Sequence, residues 1–414
     1  MEDAIIIKGG KRLNGEVRIS GSKNGTVALI PATVLSSGVV TICDVPEISD
    51  VDALTTLLEE LNIHVIKRSD HIVVDPTDIR NVTLDHEAVG KLRASYYFMG
   101  VLLGRYKYVK IKMSGGCYLG PRPIDLHLKG FEALGAKVDY DDGYYVISAD
   151  ELIGTNIYLD FASVGATINI MMAAVFAKGR TVIENAAKEP EIIDLCSMLN
   201  KMGAKVRGAG TGEIIIDGVE KLDGCFHEII PDRIEAGTYV IMAAACAKHM
   251  KISNIIPQHL ESLLSKLEEM GVNMKVGVDT VEIFESKELK GVDIKTLPYP
   301  GFATDLQQPL SALMTQAFGV SKVVDTIYPE RFKHIHELSL MGADAEYHDG
   351  SSSITGPTQL VGTTVTATDL RCGACLVIAG LLAEGTTVIK DAYHIYRGYE
   401  NIKEKLTSLG ADVE

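Results

Sequence analysis

Tryptophan is absent from these 414 residues, and the remaining proportions are ordinary: 46% hydrophobic, 23% charged, 39 Gly and 13 Pro. Nothing in them suits disorder, collagen or a coiled-coil array. There is no basic excess. Forty Lys plus Arg against 55 Asp plus Glu leave a net charge of −15, which excludes a general nucleic-acid or anionic-membrane surface, because such partners need positive potential. An anionic substrate would have to meet a local cationic cluster. Long apolar runs are missing too. The richest windows, MMAAVFA from Met171 and YVIMAAACA from Tyr239, fall short of the roughly 20 residues that span a bilayer. The N-terminal MEDAIIIKGG lacks the basic lead and apolar stretch of a signal peptide, so a cytoplasmic protein is expected. Seven cysteines, an odd number scattered from Cys43 to Cys375, suit a reducing compartment better than a disulfide framework. The length exceeds the roughly 250–300 residues at which one core stops growing, which implies two domains with a cleft between them.

What the chain does contain is a repeat. Six times an amphipathic segment ends in Leu or Met followed by Gly or Asn: LLEELNIHV, FEALGAKVD, LNKMGAKVR, LEEMGVNMK, LSLMGADAE and LTSLGADVE. The second signature residues are Asn62, Gly135, Gly203, Gly271, Gly342 and Gly410, a mean unit of 69 residues. In each copy a helical stretch leads to a β-branched strand, then to a loop and the signature helix. Gly or Asn at the helix end supplies a left-handed cap before a further strand pair. Six units of helix, strand, helix and strand pair make two sets of three.

Ile42, Ile111, Ile183, Ile252, Val324 and Ile389 serve as strand anchors for aligning the copies. Eighteen to 20 residues before them stand Lys23, Arg93, Ser163, Asp232, Asp305 and Arg371, each near the expected start of the first helix. Helix N-termini favour anions, so helices converging on one cleft could hold phosphate or carboxylate. After the strand come Arg122, Arg331 and Arg397 at comparable offsets. The second copy is the longest by about four residues, and its extra length falls in SGGCYLGPRPIDLH; an insertion confined to one copy is more often functional than structural. The bland alternative for each of these residues is a helix cap or a solvated charge.

Other patterns carry less. GAGTG at 208–212 sits between VR and EIIID as a hairpin, not before a helix as a dinucleotide loop would. GEVRISGSK has the wrong glycine spacing for a P-loop. Cys372 and Cys375 form a lone C-x-x-C in an apolar helix, and His334 and His336 do not share a helix face. No metal requirement is expected.

The stretches GSKNGTVALIPATVL, KLRASYYFMGVLLG, SGGCYLGPRPIDLH, SVGATINIMMAA, PDRIEAGTYVIMAAA, GFATDLQQP, ERFKHIHELSLMGA, TDLRCGACLVIAG and YHIYRGYENI, in this order, resemble the UDP-N-acetylglucosamine enolpyruvyl transferase family of the EPSP synthase superfamily over the whole chain. The resemblance implies an α/β fold, a two-domain inside-out α/β barrel of six βαβαββ units, three per domain. The domains would be residues 21–229, with the catalytic cysteine loop, and residues 1–20 with 230–414, the active site lying in the cleft between. The implied reaction moves the enolpyruvyl group of phosphoenolpyruvate to the 3-hydroxyl of UDP-N-acetylglucosamine and releases phosphate through a tetrahedral intermediate, as the first committed step of peptidoglycan synthesis. Cys117 matches the proton donor, which a phosphonate epoxide such as fosfomycin would alkylate. Asp305 matches the residue at the acceptor hydroxyl, a general base, although its place before LQQPLSALM also fits an N-cap. Lys23, Arg122 and Arg397 match phosphate ligands, with Lys23 and Arg397 also counted as catalytic. Arg331 and Arg371 match partners of the donor carboxylate, and Asn24 a further donor contact. Arg93, Arg122, Pro123, Ile124, Asp125, Leu126, Ser163, Asp305 and Ile327 match UDP-sugar contacts. Phe161 stands where the family often has Lys. The partners implied are these two small molecules, with no cofactor, nucleic acid or membrane. Alternatives are the sister enzyme acting on shikimate 3-phosphate, an RNA 3'-terminal phosphate cyclase-like protein, and an inactive binding paralogue.

Overall fold

The computed structural model of the chain describes residues 4–112 and 124–414. The chain divides into two compact units, Gly21–Ile230 and a second made of Met1–Ser20 with Pro231–Glu414. Strand pairing explains why the first twenty residues join the C-terminal half. Ala4–Lys8 runs antiparallel to Thr386–Lys390, and Leu13–Arg18 runs parallel to Ala247–Ser253.

Among the described residues each unit has three sheets, and the sheets repeat one pattern: a central strand with a parallel neighbour on one side and an antiparallel one on the other. Ile183 faces Ile157 and Ile214, Ile252 faces Val17 and Val281, and Ile389 faces Val365 and Ile5. In the second copy the parallel neighbour shrinks to a single bridge from Leu84 to Ile111. Because parallel neighbours cannot be joined by a hairpin, a helix must cross between them. Val164–Ala174, for example, links Asn156–Tyr158 to Arg180–Glu184.

Four such crossing helices, and two that join strands of different sheets, Lys23–Ala32 and Arg233–Cys246, form the interiors. Lys23–Ala32, Tyr97–Tyr106 and Val164–Ala174 lie in one unit; Arg233–Cys246, Thr304–Met314 and Leu370–Leu382 lie in the other. The Leu370 helix is buried from Arg371 to Leu381 without a break, as expected of a helix surrounded on all sides. The signature helices are amphipathic by contrast: Glu261–Met270 buries only Leu263, Leu264, Leu267 and Met270. Helices at the centre and sheets around them give the inside-out arrangement implied by the resemblance.

All six signature residues adopt positive φ: 61° at Asn62, 100° at Gly135, 106° at Gly203, 88° at Gly271, 95° at Gly342 and 92° at Gly410. The left-handed helix stop is therefore the physical basis of the repeat. One anchor needs correction. In the fifth copy the residue paired with the parallel strand is Val323, opposite Ile294, and Val323 is fully buried; Val324 points to the other face. With Val323 as anchor, Ala303 lies 20 residues ahead of it, matching the Ser22, Ser163, Asp232 and Asp369 caps ahead of Ile42, Ile183, Ile252 and Ile389. Arg331 and Arg397 then both follow their anchors by eight.

Ser20, the last residue before the chain enters the Gly21–Ile230 unit, is held by every polar group it has. Its amide donates to Glu235 (2.8 Å), its carbonyl accepts from the Asp232 amide (2.9 Å), and its hydroxyl bonds Lys405 (2.6 Å) and Glu400. Lys405 also donates to Glu235 at 2.6 Å. Burial pushes the Glu235 carboxyl up, and the single ammonium of Lys405 only partly offsets it.

Candidate active site

Asp305, Arg331 and Arg371 meet in one cluster. Arg331 Nη1 donates to Asp305 Oδ1 at 2.6 Å and Arg371 Nη2 to Oδ2 at 3.1 Å. The arginine side chains are only 6% and 3% exposed, whereas the Asp305 side chain keeps 24%, leaving the carboxylate the open member of the group. Burial by itself would raise the Asp305 carboxyl; the guanidiniums of Arg371 and Arg331 overcome that and hold it well below the usual carboxylate range. The three side chains together carry one net positive charge, which the nearby carboxylates of Asp369, acting on Arg331, and Asp232, acting on Arg371, reduce.

Asp305 is not the helix cap. Ala303 occupies that position without a side-chain bond, and Asp305 is the second residue of the helix, so the capping alternative is ruled out. A carboxylate in the first turn also meets the positive end of the helix. The cap of the neighbouring inner helix is Asp369, which accepts from the amides of Arg371 and Cys372 and so fixes the turn that carries Arg371. Arg371 Nη1 donates to the Tyr399 hydroxyl at 3.1 Å, and that hydroxyl is 2.8 Å from Thr238 Oγ1. Arg397 follows the short helix Tyr393–Tyr396, whose Ile395 packs against the first turns of the Leu370 helix at Gly373.

Ile327 is tied to this cluster by a residue that sequence reasoning missed. Asp325, 2% exposed, accepts from Thr296 Oγ1 (2.7 Å), the Ile327 amide (2.9 Å) and the Tyr328 amide (2.8 Å) through Oδ1, and from Thr304 Oγ1 (2.6 Å) through Oδ2. Thr304 Oγ1 in turn lies 3.4 Å from Arg331 Nη1. One buried carboxylate thus connects the Ile327 loop to the first turn bearing Asp305.

In the Gly21–Ile230 unit the expected residues stand at other helix starts. Ser22 caps the Lys23 helix through the Gly25 amide at 3.0 Å, with Lys23 and Asn24 in its first turn. Lys23 Nζ reaches Asp50 Oδ2 at 3.1 Å, and the Asp50 side chain is only 5% exposed. Asp50 is a second residue that no local pattern revealed. Ser163 caps its helix through the Ala166 amide, as the offset from Ile183 suggests, and Asp232 does the same in the other unit. Ile124 immediately precedes the helix Asp125–Ala133, placing Asp125 and Leu126 in its first turn. Arg93 opens the 3-10 helix Arg93–Tyr96. Cys117, Arg122 and Pro123 lie outside the described residues. Phe161 is exposed, two residues before the Ser163 cap.

The weak patterns resolve as structure. Residues 208–212 join the antiparallel strands Lys205–Arg207 and Glu213–Asp217. Cys372 and Cys375 are fully buried, and burial pushes the Cys372 thiol up to about 12 and Cys375 well up, so neither supplies a thiolate near neutrality. His334 is buried against Ser311 and pushed down to about 3, while His336 is exposed.

Six helix-centred repeats and a carboxylate set between two arginines define a class that comparison also finds. The family model for EPSP synthase (3-phosphoshikimate 1-carboxyvinyltransferase) matches residues 7–406, and the chain belongs to this family. Among its members, the chain is 57% identical over 413 residues to UDP-N-acetylglucosamine 1-carboxyvinyltransferase 2 of Listeria monocytogenes, covering 100% of this chain and 98% of the relative. It is 56% identical over 412 residues to the protein of that name in Bacillus subtilis, covering 99% and 96%. The enolpyruvyl transferase NikO from Streptomyces tendae has the same fold, with a TM-score of 0.91 at 25% identity over 99% of this chain and 98% of its own. EPSP synthase from Acinetobacter baumannii aligns over 99% of each chain with a TM-score of 0.74 at 18% identity, a likeness of fold.

Proposed function

We infer that this chain transfers the enolpyruvyl group of phosphoenolpyruvate to the 3-hydroxyl of UDP-N-acetylglucosamine with release of phosphate, a transferase reaction that opens peptidoglycan synthesis. The observation that carries the reading is the full-length identity of 57% to a relative of that name, in a chain whose Asp305 is held ionised by two buried arginines. The shikimate 3-phosphate reading is less supported, because the solved EPSP synthase is only 18% identical.

In this reading Arg331 and Arg371 receive the donor carboxylate, for which bidentate guanidiniums are suited. Lys23, Arg122 and Arg397 take the phosphate, with Asn24 beside it. Arg93, Arg122 to Leu126, Ser163, Asp305 and Ile327 hold the UDP-sugar. The acceptor oxygen adds to C2 of the enol, Asp305 takes its proton, and Cys117 gives a proton to C3. In the elimination a proton returns from C3 to the Cys117 thiolate and phosphate leaves C2, taking up the proton held by Asp305, which restores the double bond and both residues. The electrons balance without a redox cofactor. Asp305 is a weak base while both guanidiniums hold it; arrival of the donor carboxylate shares those guanidiniums and raises its basicity, and proton removal is concerted with bond formation. Among the described residues no helix is long and apolar enough to cross a membrane, and the reading places the enzyme in the cytoplasm with its nucleotide-sugar substrate.

The test is phosphate release from phosphoenolpyruvate in the presence of each acceptor. Release with UDP-N-acetylglucosamine and none with shikimate 3-phosphate is the expected result; the reverse pattern, or no release with either, overturns the reading.

A further inference from the structure

The first turn of the helix Tyr97–Tyr106 is bonded by a foreign side-chain amide. At its start the Asn169 side chain stands between two backbone groups: Nδ2 donates to the Tyr96 carbonyl at 2.8 Å, and Oδ1 accepts from the Gly100 amide at 2.8 Å. These two groups, four residues apart, are the pair that opens the ladder of this helix, so the side chain bonds both ends of its first step. The close approach needs glycine at residue 100: a Cβ there would lie 2.2 Å from Asn169 Oδ1 and 2.4 Å from the Asn169 carbonyl oxygen. The second Nδ2 hydrogen points to His127 Nδ1 at 2.9 Å, which makes that ring nitrogen the acceptor. Asn169 is fully buried, and its three bonds use both donors and the carbonyl oxygen.

Those bonds reach three separate elements. Tyr96 ends the 3-10 helix that opens with Arg93, His127 lies in the first turn after Ile124, Asp125 and Leu126, and Asn169 itself is on the helix capped by Ser163. His127 also packs against the start of that last helix, its ring 3.1 Å from the space a Cβ on Gly165 would fill. We propose that Asn169 is a positioning residue for the acceptor, a buried amide that sets the Arg93 segment, the Asp125 helix and the Ser163 helix in one register. The proposal rests on the functional reading above, in which these three elements hold the UDP-sugar. A carboxylate of the same size lacks both donors, so it loses the Tyr96 and neutral His127 bonds while keeping shape and the Gly100 bond.

The experiment is calorimetric titration of the whole protein with UDP-N-acetylglucosamine alone, together with both KM values and kcat, for wild type, Asn169→Asp and His127→Phe. Asn169→Asp is expected to weaken UDP-sugar binding and raise its KM by about tenfold or more, with the phosphoenolpyruvate KM within about threefold of wild type. His127→Phe severs one of the three links without touching the helix ladder, and is expected to give a smaller loss of the same kind. If Asn169→Asp does not fold, His127→Phe decides alone. Unchanged UDP-sugar affinity in a folded variant overturns the proposal, and so does an equal change in both KM values, which would mark general loosening. A wild-type protein that does not bind UDP-N-acetylglucosamine would instead overturn the functional reading.

Discussion

Asp305 and Glu235 are both carboxylates set against cations in the same unit, yet they are pushed in opposite directions. Asp305 faces two guanidiniums and is held well below the usual range, whereas Glu235 faces one ammonium, with Asp232 nearby, and is raised. Taking a carboxylate out of water penalises its charge, and the comparison shows how many partners offset that: one lysine leaves a deficit, two arginines leave a surplus. The difference suits their places. The Glu235 cluster ties down Ser20, where the chain leaves for the other unit, while the Asp305 cluster keeps a charged group at a partly open position beside two buried guanidiniums.

The comparison can be broken most severely at Asp305 itself. Asp305→Asn preserves size but deletes the basic carboxylate and leaves two guanidiniums facing an amide. Steady-state phosphate release is expected to fall by about 10²-fold or more, with a lowered thermal midpoint as well. A near-normal rate would refute the base assignment. Removing one guanidinium instead should move Asp305 toward the behaviour of Glu235. Arg331→Met strips a buried partner, and urea unfolding at pH 7 is expected to show a loss of about 3 kcal/mol. The loss should shrink at pH 5, because Asp305 with one partner can take up a proton.

The smallest effect is expected at the other carboxylate. Lys405→Met leaves Glu235 without its ammonium, raising its carboxyl further. Glu235 can relieve its isolation by protonation, so a loss of about 1–2 kcal/mol is expected, larger at pH 8 than at pH 5. Two signs distinguish the sites in the wild-type protein. A carboxyl lowered by folding adds stability that is complete above its unfolded value near 4 and erodes as pH falls toward its folded value. A carboxyl raised by folding adds stability only while it is protonated, and that share is lost as pH climbs through its raised value.

The repeat was legible because a helix stop with positive φ demands Gly or Asn, and all six signature residues have it. Where two equally suitable residues stood side by side, the sequence could not choose. Val323 and Val324 are alike in kind, and only pairing with Ile294 shows which faces the interior. Cap chemistry misled at Asp305 for a related reason: aspartate is a good cap, and nothing local reveals that Ala303 takes the position while Asp305 pairs with arginines 26 and 66 residues away. Lys23, Asp305, Arg331 and Arg371 could be singled out from offsets and resemblance. Asp50, Asp325, Tyr399 and Asn169 could not, because their partners are distant in sequence and a lone polar residue in an apolar stretch carries no signal of what it meets.

The most direct test is a carbon-13 NMR titration of the side-chain carboxyls with the protein labelled at Asp and Glu, the two resonances assigned by their loss in Asp305→Asn and Glu235→Gln. From pH 8 down to about 4.5, Asp305 is expected to keep the chemical shift of an ionised carboxylate throughout, while Glu235 titrates above the ordinary value for glutamate, about 4.3. An Asp305 signal that titrates within that window, at or above the Glu235 midpoint, would contradict the claim that two buried guanidiniums keep the proposed base charged.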